Sequence, residues 1–419
     1  MQKSPSVLEP PLTSPVDILL ADVAIRIQLS RTDYDKAVQR YGTINEWIER
    51  PDSPVRDRVQ IIYPQGSMAT RSTIASRLRT DEFDIDLVAQ LDLPPDITPV
   101  GALDLLYSAI RGEPGSRYYR MAKRRTRCVT IEYSDDMHLD VTPMLRRWGT
   151  PERESELFHH RPEAPSEPGY RCIANPYGFA EWFKQNTPFD QDFAAAYAKR
   201  SYDHEYMIAT ARADSEPVPA QAPAFEKSRA VIALQLLKRW RNVRYDARSS
   251  RRPPSIMISK LVADAANHTG GLAEELLHQA RHMLSEIERW QHVGQRIRVA
   301  NPVCPEDVLT DRWPESLRSQ TVFVEDLRAL VIRVERLVSG CSLDEMKRIM
   351  VELFGETPTS DVFLDYAQRQ GDAIAKGRSR HVTGTGRIVA PAIAGGSAVV
   401  PPRATATPTH TFYGGDRLR

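Results

Sequence analysis

The stretch that decides the fold is Tyr63-Pro64-Gln65-Gly66-Ser67-Met68-Ala69-Thr70-Arg71-Ser72-Thr73-Ile74, followed ten residues on by Asp84-Ile85-Asp86. Val59-Gln-Ile-Ile-Tyr63 is short, β-branched and stopped by Pro64, so it reads as a strand that delivers the chain to a Gly-Ser turn. The turn opens a short helix, expected at about 69–76. Phe83 to Leu91 then alternates before becoming apolar, as a strand exposed at one end and buried at the other does. Residues two apart in a strand face the same way, so Asp84 and Asp86 project together while Ile85 turns to the core. Two adjacent carboxylates repel, and hard oxygen ligands on one face suit Mg²⁺ or Mn²⁺ better than zinc.

A third carboxylate comes from Met137-His-Leu-Asp140-Val-Thr, where Leu139 and Val141 alternate with Asp140. Three carboxylates can hold the two cations, roughly 3.5–4 Å apart, that in-line phosphoryl chemistry uses. Glycine lets a phosphate approach the backbone at Gly66, and the helix N–H groups with the Ser67 hydroxyl can bind it. A nucleoside triphosphate is the natural ligand. His138 shares the face of Asp140 but is a poor Mg²⁺ ligand, so an auxiliary role is expected of it.

Outward from this stretch, the chain divides in two. Asp17–Leu29 and the segment from Ser30 or Thr32 to Ile48 read as helices, and a helix at about 99–112 precedes strands at Arg127–Tyr133 and Met137–Thr142, joined as a hairpin. From about 145 to 170 the charged, Pro-rich text reads as a loop. Asn175-Pro-Tyr-Gly-Phe starts a helix, and helices are expected from Phe225 to Tyr245, Ser255 to Asn267, Leu272 to His292, Thr321 to Ser339 and Leu343 to Phe354. The expected division is a flexible leader over 1–15, a mixed sheet-and-helix lobe over 16–170, a helical lobe over 171–373 and a disordered tail over 374–419. The fold class is α+β.

With Lys+Arg 56 against Asp+Glu 55 in 419 residues, the net charge of +1 provides no global field for nucleic acid or an anionic membrane. Any polyanion is met locally, and strong nucleic-acid binding is not expected. Cys128, Cys172, Cys304 and Cys341 are too far apart for a zinc pair or a disulfide framework and read as free thiols. The N-terminal apolar run is too short for a signal peptide and no run approaches a membrane span, so a cytoplasmic protein is expected. Lys123-Arg-Arg-Thr-Arg127 fits either a solvated approach to a strand or a triphosphate-steering patch. The aromatics Tyr177, Phe179, Trp182 and Phe183 fit core packing or base stacking.

Taken together, Gln65-Gly-Ser-Met-Ala-Thr-Arg-Ser-Thr-Ile, Asp84-Ile-Asp86 and Leu139-Asp140-Val resemble the polymerase β-type nucleotidyltransferases. More narrowly they resemble the bacterial CD-NTases of antiphage (CBASS) signalling, relatives of cyclic GMP-AMP synthase and oligoadenylate synthase. The resemblance extends through Asn175-Pro-Tyr-Gly-Phe-Ala-Glu-Trp-Phe, Leu236-Leu-Lys-Arg-Trp-Arg and Asn301-Pro-Val-Cys-Pro-Glu-Asp-Val-Leu-Thr-Asp-Arg-Trp-Pro, and so covers about residues 17–356. It implies a polymerase β-like lobe facing a helical lobe, with the active-site cleft between them. Gln65, Gly66 and Ser67 would hold the donor triphosphate, Asp84 and Asp86 would bind two Mg²⁺ ions (Mn²⁺ as a substitute), and Asp140 would bind the one that activates the attacking ribose hydroxyl. Lys238 would reach the triphosphate from the helical lobe, and Ser255 would match the serine that follows it. Lys238 also fits a plain helix whose charges are solvated.

The implied activity is synthesis of a cyclic di- or oligonucleotide second messenger from nucleoside triphosphates such as ATP or GTP, read by a downstream effector. His410-Thr-Phe-Tyr in the tail would suit a regulatory protein partner. Two alternatives stand beside it: nucleotidyl transfer to a tRNA, protein or small-molecule hydroxyl, and an inactive nucleotide-sensing module. The intact Asp84, Asp86 and Asp140 set speaks against the latter.

Overall fold

The computed structural model describes residues 12–75, 83–212, 227–267, 270–375, 380–382, 388–389 and 404–406. Helices α1 (Pro15–Ile27) and α2 (Arg31–Ile48) each start on a serine, Ser14 and Ser30, whose side chain accepts a hydrogen bond from a first-turn amide. There follow β1 (Val59–Pro64), α3 (Gly66–Ala69), β2 (Phe83–Leu91), α4 (Pro99–Arg111), β3 (Ala122–Arg124), β4 (Val129–Glu132), β5 (Met137–Arg146), β6 (Ser155–His159) and β7 (Tyr170–Ala174). The strands form one sheet in the order β1-β2-β5-β4-β3, with β6 paired to β5 and β7 to β6. Among the described residues only β2 and β5 pair in parallel; β1 to β2 and β4 to β5 are antiparallel. Leu87, Val88, Ala89 and Val141 are completely buried, as befits central strands covered on both faces. Helices α2 and α4 supply Ile44, Ile48, Leu103 and Leu106 to the core beneath Ile85, Leu87 and Leu139.

Two local expectations are corrected here. The short helix occupies Gly66–Ala69 rather than 69–76, because Arg71 adopts φ +55° and turns the chain back, so that the Ser72 amide donates to the Ser67 carbonyl at 2.9 Å. Residues 145–170 are not a plain loop: β5 extends to Arg146 and the chain returns antiparallel as β6, then β7. Charge and proline in the connecting turns mask these short strands in the sequence.

The second half contains α5 (Pro176–Asn186), α6 (Gln191–Arg212), α7 (Arg229–Tyr245), α8 (Ser255–Asp264), α9 (Leu272–His292), the hairpin β8 (Ala300–Asn301) and β9 (Cys304–Val308), α10 (Leu317–Val338), α11 (Leu343–Phe354) and α12 (Glu356–Ala375). Helix α7 runs through the middle; it is buried on every side, polar residues Gln235, Lys238, Arg239 and Arg241 included. Helix α1 belongs to this core and not to the sheet: Leu19, Leu20, Val23, Ala24 and Ile27 pack in one cluster with Ile232, Leu236, Leu276 and Phe323. The expected 16–170 lobe therefore includes a helix, α1, that packs with the helical half.

In the tail, β10 (Arg380–Val382), β11 (Ile388–Val389) and β12 (Ala404–Ala406) form a small antiparallel sheet where the sequence shows no strand period. Residues 1–11, the polar Arg77–Asp81 segment, the Ala213–Pro223 loop and His410-Thr-Phe-Tyr lie outside the described residues. All four cysteines are free. Among the described residues, no helix is long and apolar enough to cross a membrane.

Candidate active site

The parallel pairing of β2 with β5 is in register, placing Asp84 opposite His138 and Asp86 opposite Asp140. Because the strand period is two, all four side chains lie on one face, while Ile85 and Leu139 fill the core on the other. On the far side of β5, Thr130 of β4 pairs with Asp140 and donates its hydroxyl to Asp140 Oδ1. His138 Nδ1 stands 3.6 Å from Asp84 Oδ1, an auxiliary position beside the carboxylate face.

Gly66 lies against Asp86. A Cβ at Gly66 would sit 2.6 Å from Asp86 Oδ2, and the glycine adopts φ +59°, a conformation side chains resist. The Gln65 amide donates to the Asp86 carbonyl at 2.8 Å, and Gln65 Nε2 reaches Thr142 Oγ1 at 3.3 Å, which fastens the turn to both central strands. Ser67 Oγ accepts from Thr73 Oγ1 at 3.1 Å, so its own hydroxyl hydrogen is available to a ligand.

Asp86 as a residue is only half-buried, but its carboxylate lies beneath Gly66 and is enclosed. Burial pushes its pKa up to about 7, helped by repulsion from Asp140 and Asp84 and opposed by the Lys238 charge. Among the described residues, no Lys or Arg comes within ion-pair distance of Asp86 or Asp140. As placed, the side chains do not close into a group of three His, Cys, Asp or Glu that could hold a metal. The donor chemistry nevertheless fits a hard divalent cation: three carboxylates on one face, all oxygen, one of them disfavoured as an anion by burial and by its two carboxylate neighbours.

Lys238 is buried, and its Nζ donates to Ser72 Oγ at 2.7 Å and to the Ser72 carbonyl at 3.1 Å. Next to it on α7, Gln235 Nε2 donates to the Thr73 carbonyl at 2.8 Å. Helix α7 thus grips the loop whose Thr73 supports Ser67, and Lys238 stands one step back from the turn. The solvated reading of Lys238 is overturned. Burial first, then the Arg241 charge, lower its pKa to about 7. Ser255 is not brought to this place: it begins α8 and accepts from Arg241 Nη1 at 2.8 Å. Asp84, His138 and Asp140 line a cleft of about 330 Å³ together with Arg125, Arg127 and Arg312.

Sequence reasoning missed Thr130, Ser72, Thr73 and Arg312. Single Ser and Thr residues carry no spacing signal, and Arg312 arrives from the loop after β9. Of the basic run, Arg124 is occupied structurally, donating to Asp104 and to the His160 carbonyl, while Arg125 pairs with Glu132. The aromatic run is mainly core: Phe179 and Phe183 are buried, whereas Tyr177 packs on Tyr63 beneath Arg153.

Residues 16–167 match the Second Messenger Oligonucleotide or Dinucleotide Synthetase domain, SMODS. The chain is 37% identical over 407 residues to the cyclic dinucleotide synthase CdnG of Bradyrhizobium diazoefficiens, covering 96% of each protein. It is 23% identical over 403 residues to the c-di-GMP synthase of Roseivirga ehrenbergii, covering 94% of this chain and 96% of that one. The solved structure of the Bradyrhizobium CD-NTase CdnG in complex with GTP superposes with a TM-score of 0.73 at 38% identity, over 84% of this chain and 99% of that chain. With a polymerase β-like sheet lobe, a helical lobe and this extent of identity, the chain belongs to the CD-NTase family of nucleotidyltransferases.

Proposed function

We propose that this enzyme is a cyclic dinucleotide synthase that uses GTP as at least one of its two substrates. The observation that carries the chemistry is the in-register pairing of Asp86 with Asp140 beneath Gly66. The guanine assignment is supported by the relatives, a c-di-GMP synthase and a CdnG seen with GTP. In the reaction, a ribose hydroxyl of the acceptor nucleotide attacks the α-phosphorus of the donor; the new O–P bond forms, the α–β bond breaks and pyrophosphate leaves. A second transfer closes the ring.

Asp84, Asp86 and Asp140 would hold the divalent cations, Mg²⁺ or Mn²⁺, which when bound supply positive charge to the attacking and leaving oxygens. The Gly66 backbone and Ser67 hydroxyl orient the donor triphosphate, and Ser72 and Thr73, gripped by Lys238 and Gln235, keep that turn in place. The sheet lobe and helical lobe would act as two units around the nucleotides. The setting would be cytoplasmic antiphage signalling, with an effector reading the product and a regulatory protein engaging the tail.

The test is incubation with the four ribonucleoside triphosphates and Mg²⁺ or Mn²⁺, with products read by mass spectrometry. A guanine-containing cyclic dinucleotide is expected, reduced at least about a hundredfold by Asp86→Asn, as loss of a charge-stabilising group requires. Linear extension of added RNA, or a cyclic product unaffected by Asp86→Asn, would overturn the assignment.

A further inference from the structure

Three arginines line the same cleft as Asp84 and Asp140, and they differ in how their charge is met. Arg125 pairs with Glu132 at 2.7 Å. Arg127 pairs with Asp311. Arg312 has no carboxylate within ion-pair distance among the described residues; its Nη2 instead reaches His159 Nδ1 at 3.1 Å, the same atom that accepts from Arg127 Nε at 3.1 Å. An imidazole nitrogen that accepts from guanidinium carries no proton, so His159 is neutral and contributes no negative charge. Its ring is stacked on Tyr170, centroids 4.2 Å apart, which fixes the nitrogen between the two guanidinium groups. Burial and the Arg127 and Arg312 charges hold its pKa down at about 4.

Two guanidinium groups therefore share one neutral acceptor, with a single carboxylate between them. Asp84 and Asp140 line the same cleft, but among the described residues no carboxylate comes within ion-pair distance of Arg312, so its guanidinium keeps donors open to an anion that enters the cleft. The position of that anion follows from the sheet. In the order β1-β2-β5-β4-β3, Gly66–Ser67 leaves from β1 on one flank of the carboxylates, whereas Arg125 and Arg127 lead into β4 on the other. The donor triphosphate and the arginine pair thus lie on opposite sides of Asp86 and Asp140.

We propose that Arg312, with Arg127, binds the 5′-phosphate chain of the second nucleotide, the one whose ribose hydroxyl attacks. This inference rests on the reading of Gly66, Ser67 and the carboxylates as the donor side of a nucleotidyl-transfer site. Arg312 comes from the helical lobe and Arg127 from the sheet lobe, so the acceptor's phosphates bridge the two lobes and set the distance of its ribose from Asp140. Specificity for the acceptor then depends on its phosphates as well as its base. A 5′-hydroxyl nucleoside lacks the group that satisfies the pair.

The experiment offers GTP as donor with either GTP or guanosine as acceptor, and measures the ratio of 5′-triphosphorylated to 5′-hydroxyl linear dinucleotide. Arg312→Ala is expected to lower that ratio at least about tenfold, the size of one lost charge-assisted hydrogen bond, while Arg312→Lys retains part of it. A ratio unchanged in Arg312→Ala overturns the proposal. A second readout needs no turnover: calorimetric titration with inorganic tripolyphosphate in EDTA, where wild type should bind at least about tenfold more tightly than Arg312→Ala. Equal binding also overturns it. Wild-type protein that makes no dinucleotide, yet binds tripolyphosphate through Arg312, would sink the synthase reading and leave the anion subsite standing.

Discussion

Lys238 carries its ammonium on Ser72, inside the protein, with only neutral acceptors in hydrogen-bond range. Its folded pKa, about 7, lies below the unfolded 10.5, chiefly through burial. Between these values the unfolded chain binds the extra proton, so this group makes stability rise with pH across that window. A triphosphate on Gly66–Ser67 favours the charged ammonium and raises the pKa. Triphosphate binding is therefore expected to take up a proton above about pH 7, with affinity falling toward pH 9 and little slope from this group below pH 6. Calorimetry in buffers of different ionisation enthalpy measures the uptake, and Lys238→Met should abolish it. The carboxylates were legible in the sequence because the strand period puts Asp84 and Asp86 on one face. Thr130 was not, since its value lies in standing opposite Asp140 on a strand whose register the sequence does not print.

At the scale of the element, the four-residue α3 works because Gly66 accepts both a positive φ and the proximity of Asp86. Gly66→Ala places a methyl group at 2.6 Å from Asp86 Oδ2, so either the turn or the carboxylate must move. A loss of stability of about 1 kcal/mol or more is expected, together with a loss of triphosphate affinity larger than the stability change alone accounts for. Denaturant titration and nucleotide binding check the two separately; unchanged affinity would show that the turn does not carry the triphosphate. Strands β6 and β7 and helices α6 and α12 escaped sequence reading for a related reason. Their apolar periodicity is weak, and they form because β5, α1 and α11 offer a surface to pair with or pack on.

In the whole molecule, the chain crosses between two cores. Leu19, Leu20 and Val23 of α1 are fully buried among the helices of the second half, whereas α2 packs under the sheet. Leu20→Ala should destabilise by about 2–5 kcal/mol, and the loss should fall on the helical core. Hydrogen exchange would show it as faster exchange in α7 and α9, with β2 and β5 less affected; uniform acceleration would mean that the two cores unfold as one unit. The two cores meet where α7 holds the Ser72–Thr73 loop and where Arg127 pairs with Asp311, on either side of the carboxylates.

By itself the sequence determined the α+β class, the strand that delivers the chain to the Gly66 turn and the two carboxylates on one strand face, because these depend on spacings of two to a few residues within one segment. It also contained enough of Asp140 to make it a candidate. Only the tertiary structure decided that Asp86 faces Asp140 in a parallel pair, that Lys238 grips Ser72, that Ser255 stays with Arg241, and that Arg312 crosses to the cleft. Each of these joins residues from separate segments of the chain. Register between strands and burial of charge are fixed by packing, which no single segment encodes.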